Sequence, residues 1–341
     1  MRDVPANSPG VRCALVKFTG RAPRAVDAVE RACSSSTTAD DLLERLSDEL
    51  HQIVPHDASM WVGMDPVTMI ATEPSRVEGM DAALCNVFWH HEFHEQDTAL
   101  FADLAVGESV AAMRQSLDDR PARSIRYRDF MQPQGFSDEL RGALRAGQRT
   151  WGIVGLYRDT GRRPFDDDDL AVVRAISEPI ARALRTYVRS TSPWLGQPSA
   201  PGLLVIDGSG HPVSANSDAL CWLRDLWPDV VDEDDEAIAS LTARCTDNGV
   251  LEVPTPLLAL VARARAVADG RERVPARMRL RDRRGRWIVL HASSLAGPAS
   301  PDGAVAVVIE TAKSAEVAPI VIEAYSLTPR EREVLGAIAR G

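Results

Sequence analysis

The segment DELRGALRAGQRTWGIVGLYRDTGRRPFDDDDLAVVRAISEPIARAL, residues 138–184, decides the fold of the first half of the chain. It opens with two strand-like runs separated by Gly147-Gln148, which predicts an antiparallel hairpin. In the second run, Trp151, Ile153 and Tyr157 alternate with Val154 and Leu156. A helix is predicted to follow, with Asp166 as its N-cap. Its buried stripe is formed by Leu170, Val173, Ile176, Ile180, Leu184 and Tyr187. Strands closed by such a helix indicate an α+β domain.

The residues before this segment predict further elements of the same domain. TTADDLLERLSDELHQIV begins with Thr38 or Asp40 as N-cap and places leucines on one helical face. Residues 58–74 form two short runs around Asp65-Pro66 and predict a hairpin. CNVFWHHEFHEQD, residues 85–97, lies on a predicted helix. Residues 1–36 are expected to be irregular, apart from a strand-like run at 11–18.

A second α+β unit is predicted after the Ser-, Pro- and Gly-rich stretch STSPWLGQPSAPG. Two strands, GLLVID and HPVSAN, precede the short helix SDALCWLRDLW, which Pro228 ends. The helix PLLALVARARAVADG closes at Gly270, and the strands PARMRLR, RWIVLHASSL and GAVAVVIE follow. Arg277, Arg279 and Arg281 alternate with apolar residues, which predicts a solvated or interdomain strand face.

The last sixteen residues, SLTPREREVLGAIARG, carry a specific helix-start signal. Thr328 at the N-cap, Pro329 at the first helical position and Glu331 at the third form a capping box. Val334, Leu335 and Ile338 give this helix an apolar stripe.

Composition narrows the class of protein. The 341 residues suggest two domains or slightly more, and 45% hydrophobic with 26% charged residues is globular composition. The formal charge of −10 comes mainly from two acidic runs, Asp166–Asp169 and Asp229–Glu236, and no broad basic surface is evident. Five scattered cysteines suggest free thiols. Without a signal sequence or a long apolar run, we expect a cytoplasmic protein that does not contact membranes.

Three parts of the chain resemble known families. LTPREREVLGAIARG resembles the opening helix of the LuxR-type helix-turn-helix domain. TWGIVGLYRDTGRRPFDDDDLAVVRAISEPIARAL resembles the last strand and closing helix of a GAF domain. GLLVIDGSGHPVSANSDALCWL, with GRWIVLHASSL and VAVVIE, resembles a PAS domain. Together they resemble a LuxR-family transcriptional regulator with two sensor domains, truncated after the first helix of its DNA-binding domain.

The resemblance implies a division of the chain into six parts. They are an N-terminal segment (1–36), a GAF-like domain (37–189), a linker (190–201), a PAS-like domain (202–312), a second linker (313–325) and the first helix of an incomplete helix-turn-helix domain (326–341). The helix that reads base edges in this motif comes later, so no DNA-binding residue can be assigned here. The family also implies a homodimer acting on DNA through that domain.

The GAF resemblance predicts a pocket for a small molecule, because aromatic residues with a few polar groups suit an apolar ligand. The predicted pocket residues are Trp61, Met64, Trp89, His90, Phe93, Tyr127, Phe130 and Trp151. The alternative is that these side chains only pack the core. His91 and His94, near Glu95 and Asp97, have metal-ligand spacing, but an amphipathic helix explains them better, and no metal or cofactor is predicted.

The sequence thus favours a ligand-responsive regulator over an enzyme. It contains no nucleophile elbow, P-loop or dinucleotide fingerprint, so no catalytic residue is predicted. An alternative function is a protein–protein interaction or dimerisation module without a small-molecule ligand. A cavity of a few hundred Å³ would favour ligand sensing, whereas a filled core with an exposed apolar patch would favour partner binding.

Overall fold

The computed structural model of the protein contains two units, each built on an antiparallel five-stranded sheet. The residues that it describes are 20–81, 84–190, 200–227, 253–282, 284–297, 303–325 and 327–340. Helices flank both sheets, which confirms the predicted α+β fold.

The first unit has the strand order β2-β1-β5-β4-β3. Its strands are β1 (Ala58–Met64), β2 (Ala71–Glu78), β3 (Val110–Ala112), β4 (Phe136–Ala146) and β5 (Arg149–Asp159). Its helices are α1 (Arg21–Ser35), α2 (Ala39–Ile53), α3 (Cys85–His94), α4 (Phe101–Val106), α5 (Met113–Ser116) and α6 (Asp167–Ser190), with a π-helical turn at Tyr127–Met131. Both predicted hairpins are confirmed.

The two faces of this sheet carry different helices. On one face α1, α2 and α6 bury mostly leucines, isoleucines and valines, together with Trp61, Trp151 and Phe165. Thr38 caps α2 by accepting from the backbone N–H of Asp41, and the carboxylate of Asp166 accepts from the N–H of Asp169 at the start of α6. On the other face, α3, α4 and the π-helical turn bury a second set of side chains. The unit therefore has an aliphatic and an aromatic side.

The expectation of irregular structure before residue 37 was wrong for residues 21–35. These residues form α1, which packs against α6 through Ala25, Val29 and Ala32. Their spacing is helical, but small alanines give a weak apolar signal, and Gly20 at the N-cap offers no capping side chain. The strand-like run at 11–18 lies outside the described residues.

The second unit repeats the topology of the first, with the order β7-β6-β10-β9-β8. Its strands are β6 (Gly202–Ile206), β7 (Pro212–Ala215), β8 (Arg277–Arg281), β9 (Trp287–Ser294) and β10 (Val305–Thr311). Helices α7 (Ser217–Leu226) and α8 (Thr255–Ala268) pack with the core of this sheet, and α9 (Ser314–Tyr325) and α10 (Pro329–Arg340) follow it. The acidic run Asp229–Glu236 lies outside the described residues.

Helix α8 belongs to the cores of both units. Leu257, Leu260 and Val261 pack in the core of the second unit, while Leu258 and Ala259 join the aromatic side of the first. Burial on both sides explains why this helix is apolar almost all round. It holds the two units together.

Helix α9 also contacts both units. Val317 and Ile320 pack with Trp287 on the outer face of the second sheet, and Ala324 joins the aliphatic core of the first unit. Helix α10 begins four residues after α9 ends, and the predicted capping box is confirmed: the N–H of Thr328 donates to the Glu331 carboxylate at 2.8 Å. None of the described helices has the length and apolarity needed to cross a membrane.

Candidate ligand-binding site

Five of the predicted pocket residues, Met64 among them, belong to the buried cluster on the aromatic side of the first unit. Trp89 and Phe130 are fully buried there, and Phe93 and Tyr127 pack against the same cluster. The Trp89 and Phe93 rings stack with their centroids 6.0 Å apart. Phe88, which was not predicted, lies with its ring 5.3 Å from that of Phe130. On this face the aromatic rings pack directly against one another.

A buried ionic network lies beside these rings. The Nε of Arg126 donates to Glu139 at 2.9 Å, and the Tyr157 hydroxyl donates to the other oxygen of Glu139 at 2.8 Å. Arg141 donates to Glu92 at 2.6 Å and covers the Phe101 ring, 3.7 Å from its centroid. Burial, followed by the charge of Glu139, raises the pKa of Tyr157 well above its usual value. Because each arginine pairs with a carboxylate, the positive and negative charges of the network largely cancel.

Sequence reasoning missed this network. Its charges alternate with apolar residues in DELRGALR, a pattern that also describes a strand with one solvated face. In the structure both faces of β4 are covered, so Glu139 and Arg141 are buried. Nothing in the sequence shows that a helix covers the second face.

The other three predicted residues, Trp61, His90 and Trp151, lie outside this cluster. Trp61 is buried in the aliphatic core, beneath the helices of the opposite face. His90 is exposed, with 51% of its side chain accessible. Met64 and Trp151 line a cavity between the two units. The structure therefore does not bring the eight residues into one pocket.

The walls of this interdomain cavity are fixed by polar contacts between the units. Arg279 on β8 forms a buried bidentate ion pair with Asp65, with N–O distances of 2.7 and 2.8 Å. The Thr72 hydroxyl donates to the backbone carbonyl of Arg279 at 3.0 Å. The indole N–H of Trp227 donates to Glu73 at 2.6 Å. The predicted solvated or interdomain strand face is therefore interdomain at Arg279.

The interdomain cavity has a volume of about 570 Å³, which is within the usual range of small-molecule sites. Strands β1, β2 and β5 and the end of α6 form its first wall. Strand β8, the start of β9 and α9 form the other wall. Its aromatic lining comes from Trp151, Tyr187, Trp227 and Trp287.

Glu73 and Arg281 lie on opposite walls of the cavity, and Asp40, Arg279 and Asp282 are the other charged residues in its lining. Burial raises the pKa of Glu73, although hydrogen bonds from Trp227 and Ser75 act in the opposite direction. Burial lowers the pKa of Arg281 to about 10. The Arg281 guanidinium stacks on Trp287, 4.4 Å from the ring centroid, and donates to the carbonyl of Val188 at 3.0 Å. Its Nε and Nη1 atoms are buried without an acceptor among the described residues.

Potential metal ligands occur at other places. His91 and His94 face different acids, Asp129 at 3.7 Å and Asp269 at 3.5 Å. Within the described ranges, one group has three donor atoms close enough to share an ion: His291, Glu310 and Glu316, with all donor atoms within 4.8 Å. Exposed or half-exposed groups of this kind are common without a metal.

Comparisons with known proteins identify the first unit. The family model of the GAF domain matches residues 38–184. No curated protein matches the chain. Among solved structures, a GAF domain/HD domain protein from Geobacter sulfurreducens is 17% identical, with 46% of this chain and 98% of that chain covered and a TM-score of 0.35.

Two other solved structures are similar at lower TM-scores. A far-red absorbing dark-state protein with bound biliverdin is 10% identical, covers 48% of this chain and 98% of its own, and has a TM-score of 0.29. The sensor region of a sensor histidine kinase is 17% identical, with 80% of this chain and 97% of that chain covered and a TM-score of 0.20. The PAS and LuxR resemblances stay predictions. The chain carries a GAF domain over residues 38–184.

Proposed function

We propose that this protein is the sensory region of a cytoplasmic, homodimeric LuxR-family transcriptional regulator. In this proposal, a small molecule bound by the GAF or the PAS-like unit controls DNA binding by a helix-turn-helix domain whose first helix is α10. The protein acts by binding and not by catalysis.

The observation that carries this proposal is the position of α9. This helix packs Val317 and Ile320 on the second sheet and Ala324 in the core of the GAF unit. It ends at Tyr325, and α10 begins at Pro329. A rearrangement of either unit therefore reaches α10 through one helix. A ligand shifts such an arrangement only if it binds one of the two states more tightly.

The alternative is a module that binds a partner protein and no small molecule. The packing of aromatic rings against one another on one side of the GAF domain is compatible with this alternative. The interdomain cavity of about 570 Å³ favours a small-molecule ligand instead.

The proposed control of DNA is tested in the organism that encodes the protein. The gene product, tagged at its amino terminus, is crosslinked to DNA and immunoprecipitated, and the recovered DNA is sequenced. We expect enrichment of a small set of promoter sequences that is lost when residues 327–341 are deleted with everything that follows them. Equal recovery of DNA with the tagged protein and with an untagged strain would overturn the proposal.

A further inference from the structure

We infer that the interdomain cavity binds an apolar small molecule carrying one acidic group, with Arg281 as the counter-ion of that group. The inference rests on the proposed sensory function and supplies the site and the ligand class that this function leaves open.

Two arginines in the cavity wall, Arg279 and Arg281, differ in their hydrogen-bond partners. Arg279 has a bidentate carboxylate partner in Asp65. Arg281, two residues further along β8, donates one hydrogen bond to a neutral carbonyl, and two of its nitrogens are buried without an acceptor among the described residues. A guanidinium withdrawn from water normally meets an anion or several acceptors. A bound acidic group would supply Arg281 with a negative charge and with hydrogen-bond acceptors.

The charge balance around Arg281 supports this argument. Burial is the largest cause of its lowered pKa. With a pKa of about 10, the side chain still carries its charge at neutral pH. A carboxylate or sulfonate beside it would form charge-assisted hydrogen bonds, which are stronger than those between neutral groups.

The remaining wall indicates an apolar, preferably aromatic, ligand body. Three of the seven tryptophans of the chain line the cavity: Trp151, Trp227 and Trp287. Met64 and Leu184 add aliphatic surface. Flat rings stack favourably on indole faces, so the cavity suits a molecule with an acidic group at one end and a ring system at the other.

The opposite wall limits the ligand to one acidic group. Glu73 lies there, where its carboxyl already accepts from Trp227 and Ser75. Asp40, which is exposed, lines the same cavity. A second anion on the ligand would meet these carboxyl groups, and like charges at close range are unfavourable.

An occupant of this site would touch the elements that lead to α10. Ile320 of α9 lines the cavity, together with Leu184 and Val188 near the end of α6. Arg281 itself is bonded to the Val188 carbonyl. A ligand that draws Arg281 toward itself therefore acts directly on the contact between α6 and β8.

Two fluorescent probes with the same ring system test the inference. The first, 8-anilinonaphthalene-1-sulfonate, is anionic, and the second, N-phenyl-1-naphthylamine, lacks the sulfonate. Affinities are measured for the wild-type chain, for Arg281→Met, which keeps an apolar stem, and for Arg277→Met. Arg277 lies on the same strand but does not line the cavity, so it is the matched control. Thermal unfolding of all three proteins establishes that they are folded.

We expect saturable binding of the sulfonate at one site per chain. Arg281→Met should weaken it by about tenfold or more, because hydrogen bonds to charged groups are stronger than neutral ones, and should leave the affinity for the neutral amine nearly unchanged. Arg277→Met should change neither. No saturable sulfonate binding by the wild type, or equal effects of the two substitutions, would overturn the inference.

The outcome separates this inference from the proposed function. Promoter enrichment without an Arg281 effect would leave a regulator whose signal binds elsewhere. An Arg281 effect without promoter enrichment would leave the binding site without the proposed control of DNA.

Discussion

At the residue scale, a few buried charged side chains govern how the two units meet. Asp65 follows β1 and accepts from the backbone N–H groups of Val67 and Thr68 as well as from Arg279. One carboxylate thus shapes a turn of the GAF domain and neutralises an arginine of the second unit. Removing one partner of such a buried pair leaves the other charge uncompensated.

We therefore expect Asp65→Asn to lower the free energy of unfolding by about 3–5 kcal/mol. Urea denaturation followed by circular dichroism measures the change. Glu178→Gln is the matched carboxylate-to-amide control, because Glu178 pairs with Arg182 on the exposed face of α6. An exposed pair contributes less than about 1 kcal/mol. Similar losses for both variants would contradict the role assigned to the Asp65–Arg279 pair.

The stability of the protein should depend on pH through Glu73. Burial raises the pKa of its carboxyl group above the usual 4.5, so the folded state holds the proton more tightly than the unfolded chain does. The stabilisation by this proton is complete below about pH 4.5 and is lost as the pH rises through the raised pKa.

Glu73→Gln is neutral at every pH and should escape this loss. We expect the free energy of unfolding of the variant, relative to wild type, to increase between pH 4.5 and pH 7. Urea titrations of both proteins at the two pH values measure this difference. A difference that stays constant with pH would contradict the prediction.

At the element scale, a helix or strand could be predicted from the sequence when neighbouring residues determine it. The β4–β5 hairpin, α6 and the capping box of α10 follow from turns, caps and periodicity within about twenty residues, and all were predicted. The interdomain cavity was not predicted, because residues such as Asp65 and Arg279 are 214 positions apart. The sequence shows an arginine-rich strand, but not the surface against which it packs.

Helix α8 provides an element-scale prediction, because small side chains allow it to approach the GAF domain closely. Ala259 is completely buried in the aromatic cluster. We expect Ala259→Leu to destabilise the protein by about 1–3 kcal/mol through overpacking. Ala268→Leu, at the exposed end of the same helix, is the control. Urea denaturation compares them, and an equal effect would show that α8 does not pack as described.

Helix α9 should loosen when its main anchor is removed. Ile320 is buried beside Trp287 and Val317, and truncating such a side chain costs about 2–5 kcal/mol. We expect Ile320→Ala to accelerate amide hydrogen exchange across residues 314–325. Val334→Ala on α10, where the side chain is 48% exposed, should leave this exchange unchanged. Unaltered exchange in Ile320→Ala would contradict the proposal that α9 connects the two units to α10.

At the scale of the whole molecule, the GAF domain and the second unit act through shared parts. Helix α8 is buried in both cores, α9 contacts both, and the cavity takes its walls from both. On the GAF domain's aromatic side Arg126 and Arg141 form ion pairs with glutamates, whereas Arg281 in the cavity forms no ion pair with any of the described residues. The proposed ligand site therefore lies between the units and not within one of them.

The most direct test of this claim is hydrogen exchange of the wild-type chain, with and without saturating 8-anilinonaphthalene-1-sulfonate. We expect slower exchange at residues 184–188 and 314–325, because the proposed site is lined by the end of α6 and by α9. Protection confined to residues 85–131, on the aromatic side of the GAF domain, with α9 unchanged, would contradict it.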